Sequence, residues 1–300
     1  MRVRCIGESW KELRSGQQRK WKNYYYIEKF ETALKSAKLD YDIDVEYYTP
    51  RSFGIPSKLI EYTETTPFVK QIKLSPNGYF INCYDSFPLW KNQDIDSSIL
   101  QKIGQTNKYD QSKIKYSFGK PYILFALQSM NFSHHLYMNV KDFAKVMYWA
   151  EMNKMNVLFK LHPFNTKNDL TSRYWESLRA QGVGGDYVEL VSSEYDIDDL
   201  IENSEGVWTH SSGVAFQALI KNKPTVTISK NVDWWPISVI NKNPLTTSFT
   251  APNKEDVLRF VSWYYNKLTI DSTSLTVKYD IENRIHNIIR HDFDTEKIFA

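Results

Sequence analysis

Cysteine is nearly absent. The chain has two, Cys5 and Cys83, both inside apolar strand-like runs, so a disulfide framework is excluded and buried thiols in a reducing compartment are expected. Glycine and proline number 11 each in 300 residues, too few for a collagenous or low-complexity chain. Long hydrophobic runs are missing too: Tyr122 to Leu127 (YILFAL) is strand-sized and far short of the roughly 20 residues that span a bilayer. The opening MRVRCIGESWKELR carries positive charge with no continuous apolar stretch behind it, so it does not read as a secretory signal, and a cytoplasmic location is expected. An excess of one charge is lacking as well. The net charge of +3 is too small to announce a nucleic-acid binder.

What the chain has in quantity is flat rings, 20 Tyr, 16 Phe and 9 Trp, or 15% aromatic. Sugar and nucleobase sites stack on such rings, but cores consume them as well, and the core is the plainer reading. Charge is unevenly placed: Arg2, Arg4, Lys11, Arg14, Arg19, Lys20 and Lys22 face only Glu8 and Glu12 in the first 24 residues. Three hundred residues suit two domains or one large one.

Short apolar runs alternate with helical periodicity along most of the chain. Val3 to Ile6 reads as a strand, Tyr26, Ile27, Phe30, Leu34 and Ala37 fall at helical spacing, and Ile43 to Tyr48 returns to β-rich composition. The stretch through Pro56 and Pro67 is less legible; Tyr79 to Tyr84 (YFINCY) predicts another strand, and the polar segment Lys108 to Lys120 a linker. Beyond it the pattern predicts strands at Tyr122 to Leu127, Val157 to Lys160, Tyr187 to Val191, Gly206 to Thr209 and Thr225 to Ile228. Helices are expected between them, near Val140 to Met152, Leu170 to Ala180, Ile197 to Glu202 and Val214 to Lys221, and two more at Lys254 to Leu268 and Ile281 to Arg290. Such alternation argues parallel sheets covered on both faces, an α/β fold of two Rossmann-like domains, 1–118 and 119–300, facing across a cleft.

Three constellations carry chemistry. In Gly206 to Ser229 (GVWTHSSGVAFQALIKNKPTVTIS) a strand ends at Thr209, and His210, Ser211, Ser212 and Gly213 form a small polar turn before a helix. That arrangement suits a phosphate, although ordinary N-capping by a serine explains the hydroxyls equally. In VLFKLHP a buried strand delivers His162 and Pro163 to its carboxyl end, where a histidine can donate to a phosphate. The strand YILFALQ ends at Gln128, whose amide could read a nucleobase edge.

In this order, "FKLHP" and "THSSGVAFQALIKNKPTVTIS" resemble the capsule polysaccharide biosynthesis glycosyltransferases, Kdo-transferase-like enzymes of the GT-B fold. The His-Pro and Ser-Ser pairs are also similar to those of bacterial sialyltransferases. The resemblance covers about residues 121 to 240 and implies the nucleotide-sugar half of such an enzyme. By it, His162 and Pro163 lie against the donor's nucleotide and phosphate, Ser211 and Ser212 bind phosphate, and Gln128 ends the first strand of that half. Two positions depart from the family pattern: Gln217 stands where a glutamate is usual, and Asn131 is the nearest polar residue where an acid commonly follows the glutamine.

The resemblance implies transfer of a sugar from a nucleotide-sugar donor to a hydroxyl acceptor, a surface or capsular glycan, with no cofactor or metal beyond the co-substrate. The Asp-x-Asp tripeptides at Asp42-Ile43-Asp44, Asp94-Ile95-Asp96 and Asp196-Ile197-Asp198 read as solvated turns and not as metal ligands, and Gly182, Gly184 and Gly185 as a helix terminator. An acceptor hydroxyl needs a base; Asp85, after YFINCY, is the first candidate and Glu8 the second. Arg14, Arg19, Lys20 and Lys22, interleaved with Trp10, Trp21 and Tyr24, are candidates for holding the acceptor or simply a solvated surface. They also keep open a phage-type enzyme that glycosylates hydroxymethylated bases in DNA. A silent sugar-nucleotide binder is a further alternative, which Gln217 makes conceivable.

Overall fold

The computed structural model describes residues 3–6, 25–38, 43–47, 59–63, 70–76, 89–99, 114–127, 140–163, 170–210, 212–227, 239–240 and 250–292. In chain order the elements are β1 (Val3–Ile6), α1 (Tyr25–Ser36), β2 (Ile43–Tyr47), β3 (Leu59–Thr63), β4 (Gln71–Pro76), β5 (Ile123–Ala126), α2 (Val140–Asn153), β6 (Val157–Lys160) and α3 (Leu170–Ala180). They continue with β7 (Val188–Val191), α4 (Ile197–Glu202), β8 (Gly206–Thr209), α5 (Val214–Ile220), β9 (Thr225–Thr227), β10 (Val239–Ile240), α6 (Lys254–Trp263), β11 (Thr269–Asp271) and α7 (Val277–Asp292). Two compact units divide them: Met1–Asp110 with Arg259–Ala300, and Gln111–Leu258.

The first unit is built on a five-stranded sheet of order β1-β2-β3-β4-β11. β1 to β3 pair in parallel, whereas β4 lies antiparallel to both β3 and β11, so this sheet is mixed and not the uniformly parallel one expected. Opposed residues share a face. Val45, Ile60, Ile72, Leu74 and Ile270 therefore form one buried apolar surface, while Gln71, Lys73 and Thr269 are buried on the other. Gln71 is satisfied there, donating to the Tyr265 hydroxyl at 3.1 Å and accepting from Thr269 Oγ1 at 2.8 Å. α1 packs on α7, and the backbone N–H of Lys38 donates to Glu282 at 2.6 Å. After Trp263 the helix widens into a π-helical turn, Tyr264–Leu268, that leads directly into β11.

β11 changes the domain limits. The sequence assigns everything after residue 118 to the second half, but pairing of β11 with β4 draws residues 259–300 into the first unit. The expected linker also divides differently: Ile114 bridges Tyr195, and the Tyr116 N–H donates to Asp199 at 3.2 Å, so its later part belongs to the second unit. The strand expected at Tyr79 to Tyr84 lies outside the described residues.

The second unit has six strands in the order β10-β9-β8-β5-β6-β7, every pair parallel. That is the doubly wound order, in which the direction of strand addition reverses between β5 and β8. Its runs ILFA, VLFK, GVWT and TVT are buried throughout, as strands covered on both faces must be. Alternation divides them between two cores. Ile123, Phe125, Phe159 and Trp208 pack with Phe143, Met147 and Trp149 of α2, whereas Leu124, Leu158 and Val207 pack with Tyr122 and with Leu200 and Ile201 of α4. Rings fill the first core at close range, 4.5 Å between the centroids of Trp149 and Trp208 and 5.0 Å between those of Phe143 and Phe159. The expected span of β7 shortens at its start, because Gly185–Tyr187 form a 3-10 turn.

The glycines after α3 end that helix, as expected. Gly182, at φ 75°, donates to Arg179, and Val183 donates back five residues to Leu178, the hydrogen-bond pattern of a left-handed helix cap. At Gly184, φ 88°, a Cβ would stand 2.5 Å from Val188 Cγ2, so this position has no room for a side chain.

Candidate active site

A parallel sheet delivers its loops to one edge, and at the reversal point two loops leave in opposite directions, opening a crevice at the carboxyl ends of the strands. In register, the last row of this sheet runs Val191, Lys160, Ala126, Thr209, Thr227. Ala126 and Thr209 flank the reversal. The segments that follow this row hold the residues singled out from sequence: His162 and Pro163 two and three positions after β6, and His210 to Gly213 after β8.

Thr209 organises the crossing. Its hydroxyl is fully buried, donates to the Ala126 carbonyl at 3.2 Å and accepts the Ser212 N–H at 2.9 Å, so one side chain joins both central strands to the entrance of α5. Ser212, 6% exposed, offers Oγ to the Val214 N–H at 3.4 Å and its carbonyl to Ala215 at 3.1 Å. Ser212 thus accepts from the first residue of α5, while Gly213, the residue at the N-cap, makes no side-chain cap bond. Gly213 precedes α5 in helical conformation, and α5 is anchored by buried Ala215, Phe216, Ala218 and Leu219. His210 and Gln217 are half-buried.

On the neighbouring strand the Leu127 N–H donates to Lys160 O at 3.0 Å and the Leu161 N–H to Val191 O at 3.1 Å, extending the ladder to the residue before His162. His162 and Pro163 are half-buried. Lys160 is 4% exposed, and its ammonium donates to the Ser193 carbonyl at 3.0 Å. Burial pushes this amine down to about 8, with Asp196 acting in the opposite sense. Tyr122 hydrogen-bonds the Leu200 carbonyl at 2.8 Å, and burial, aided by Asp199, pushes its phenol up to about 12. The Tyr116 phenol, donating to Glu189, is held well above its ordinary range, first by burial and then by that carboxylate.

His162, Pro163, His210, Ser212, Gly213 and Gln217 all lie in the second unit, the first two after β6 and the others after β8. Gln128, Ser211, Asp85, Glu8, Arg14, Arg19, Lys20 and Lys22 lie outside the described residues. Two residues at this edge escape sequence reading, Thr209 and Lys160. Their signal is a polar residue closing an otherwise apolar strand, GVWT and VLFK, which counts only once the strands are in register.

The Asp-x-Asp tripeptides resolve where they are described. Asp196 caps α4 by accepting the Asp198 N–H at 2.9 Å, and Asp96 accepts from the Ser98 N–H and hydroxyl at 3.0 and 2.6 Å. Among the described residues no three His, Cys, Asp or Glu cluster as metal ligands would, and no helix is long and apolar enough to cross a membrane.

No curated protein matches the chain in sequence. Among solved structures it is similar to the β-Kdo 2,7-transferase of Thermosulfurimonas dismutans KpsC, with a TM-score of 0.55 at 13% identity over 96% of this chain and 99% of that one. The β-Kdo 2,4-transferase of the same protein gives 0.52 at 12% identity, over 94% and 97%. At such identities the likeness shows the fold. The model of the capsule polysaccharide biosynthesis protein family matches residues 91–246. Because that match spans more than half of the chain and takes in the whole second sheet, the chain belongs to the family of capsule polysaccharide biosynthesis proteins.

Proposed function

We propose that this protein is a glycosyltransferase of the GT-B type that moves a sugar from a nucleotide-sugar donor to a hydroxyl of a surface or capsular glycan. One observation carries the reading: the two His- and Ser-bearing motifs leave the carboxyl edge of a doubly wound sheet on either side of its reversal point, where such sheets take their ligands. The family and the fold shared with two Kdo transferases support it and make a Kdo-type donor the first to try.

In this scheme the second unit holds the donor. His162 gives a charge-assisted hydrogen bond to the departing phosphate, Ser211 and Ser212 add hydroxyl donors, Gln128 faces the base, and Gln217 stands in for the family's glutamate. These donors take up the charge that develops on the leaving group, so no divalent ion enters the scheme. The acceptor's proton goes to a carboxylate of the first unit, Asp85 or, failing that, Glu8, and Arg14, Arg19, Lys20 and Lys22 steer an anionic acceptor. DNA modification finds no support in the family or in the shared fold.

Calorimetric titration with CMP, UDP and GDP, alone and as sugar nucleotides, tests the assignment. His162→Ala should weaken the nucleotide that binds by tenfold or more, the loss of a hydrogen bond worth roughly 1.5–3 kcal/mol. Unchanged affinity in folded His162→Ala protein sinks it. Release of sugar from the bound donor without acceptor separates an enzyme from a silent binder, and activity unaffected by EDTA is expected.

A further inference from the structure

We propose that Lys160 is a positioning residue for the donor site: its ammonium fastens the segment between β7 and α4 to the end of β6, and so fixes the path along which His162 and Pro163 leave the sheet. The inference rests on the donor reading above and adds to it a residue that touches no substrate.

The geometry is specific. Lys160 is the last residue of β6, beside Ala126 and Val191 in the closing row of the sheet, and is 4% exposed. Nζ donates to Ser193 O at 3.0 Å, in the loop that follows β7. Three residues on, Asp196 both caps α4 and acts on the Lys160 charge, while its own N–H is held by the Ile114 carbonyl at 2.9 Å. One ammonium thus ties the strand that carries His162 to the loop, and the loop ties onward to α4 and to residue 114. An aliphatic side chain would fill the same row without the cost of burying a charge. What it could not supply is a directional bond, from a point two residues before His162, to the backbone carbonyl of Ser193.

The bond carries its own reporter. Burial brings the amine to about 8, so it loses its proton within a range where the protein can be handled. The other ionisable groups on this face are Asp196 and Asp199 at α4, Glu189 of β7, Tyr195, and Tyr116 and Tyr122 beside β5. The phenols of Tyr116 and Tyr122 are raised above that range. A step near pH 8 that disappears with Lys160 therefore belongs to Lys160.

The experiment titrates CMP and UDP into the full chain from pH 7 to 9.5, with the wild type, Lys160→Met and Lys160→Gln, folding being checked by circular dichroism. Wild-type affinity is expected to fall roughly tenfold across this range as the charged hydrogen bond is lost. Lys160→Met should bind roughly tenfold more weakly at pH 7 and show no alkaline step. Lys160→Gln, which keeps a donor for Ser193 O without a titrating proton, should recover much of the affinity and also lack the step. Either variant binding with wild-type affinity and a wild-type pH profile overturns the inference and leaves the donor reading standing. If neither nucleotide binds the wild type, the donor reading fails, and the His162 ring resonances decide: a second step near pH 8, absent from both variants, supports the latch, and resonances indifferent to the substitutions overturn it.

Discussion

In the second unit every strand runs parallel, and of the four buried polar side chains in its described strands three, Lys160, Thr209 and Thr227, stand in the closing row, with Thr225 at the other end of β9. In the first unit β4, which runs against both β3 and β11, shares with β11 a buried polar face, Gln71, Lys73 and Thr269, at one end of the sheet, where Gln71 and Thr269 bond one another and the π-helical turn after α6. A parallel sheet sends all its strand ends the same way, so polarity and chemistry collect on one edge. In the mixed sheet β4 alone runs against the other four strands, and the polar groups of Gln71 and Thr269 are spent on internal bonds.

The largest expected effect separates the units by their cores. Phe159→Ala and Phe260→Ala each remove a fully buried ring and should cost about 3–5 kcal/mol. Hydrogen exchange should show the first loss within residues 123–227 and the second within β4, β11 and α7. Loss spread evenly over both sheets in either variant would show a single cooperative structure and erase the contrast.

Next comes a substitution of opposite sign. Lys160→Met should stabilise the protein by about 1–4 kcal/mol at pH 7, since it removes a charge from an apolar row. The folded amine titrates near 8 and the unfolded one near 10.5, so in that interval the unfolded chain holds a proton that the folded chain lacks. Wild-type stability should therefore rise with pH between those values, and urea midpoints of Lys160→Met should not. A variant that melts later and binds nucleotide worse would sharpen the division between an edge built for chemistry and a core built for stability.

A smaller effect tests the loops of the parallel sheet. Gly184→Ala meets both an unfavourable φ of 88° and the Val188 side chain, and should cost about 1–3 kcal/mol; Gly182→Ala, at φ 75° with open space around it, should cost about 1. Equal thermal shifts for the two would count against the close approach at Val188. The least effect is expected from Tyr116→Phe, within about 1 kcal/mol at neutral pH. The folded Tyr116 phenol keeps its proton above pH 10 while the unfolded one loses it, so stability should decline there with rising pH and decline less in the variant.

Sequence reading recovers the second sheet almost element for element, with Leu170–Ala180, Ile197–Glu202 and Gly206–Thr209 matching residue for residue. Continuous apolar runs separated by capped helices leave little choice there. β3 and β4 escape because LIEYT and QIKLSP alternate apolar with polar residues, and Gln71 and Lys73 read as surface although both are buried. β11 escapes because three residues after a π-helical turn carry no periodicity of their own. At the site the histidine and serine motifs are visible as strings. Thr209 is not, because its role depends on the carbonyl of a strand 83 positions earlier in the chain.

The return of β11 to β4 has a consequence for synthesis. Thr269 and Gln71 touch across 198 positions of sequence, so a ribosome adding about 5–20 residues per second leaves the outer edge of β4 without its strand for roughly 10–40 s. The second unit is one uninterrupted stretch and is entirely translated within that interval, whereas the first cannot close until its last 42 residues, 259–300, have begun to emerge. A nascent chain that stalls before residue 269 would carry a finished parallel sheet and a bare strand edge, the kind of edge on which chaperones and neighbouring chains compete.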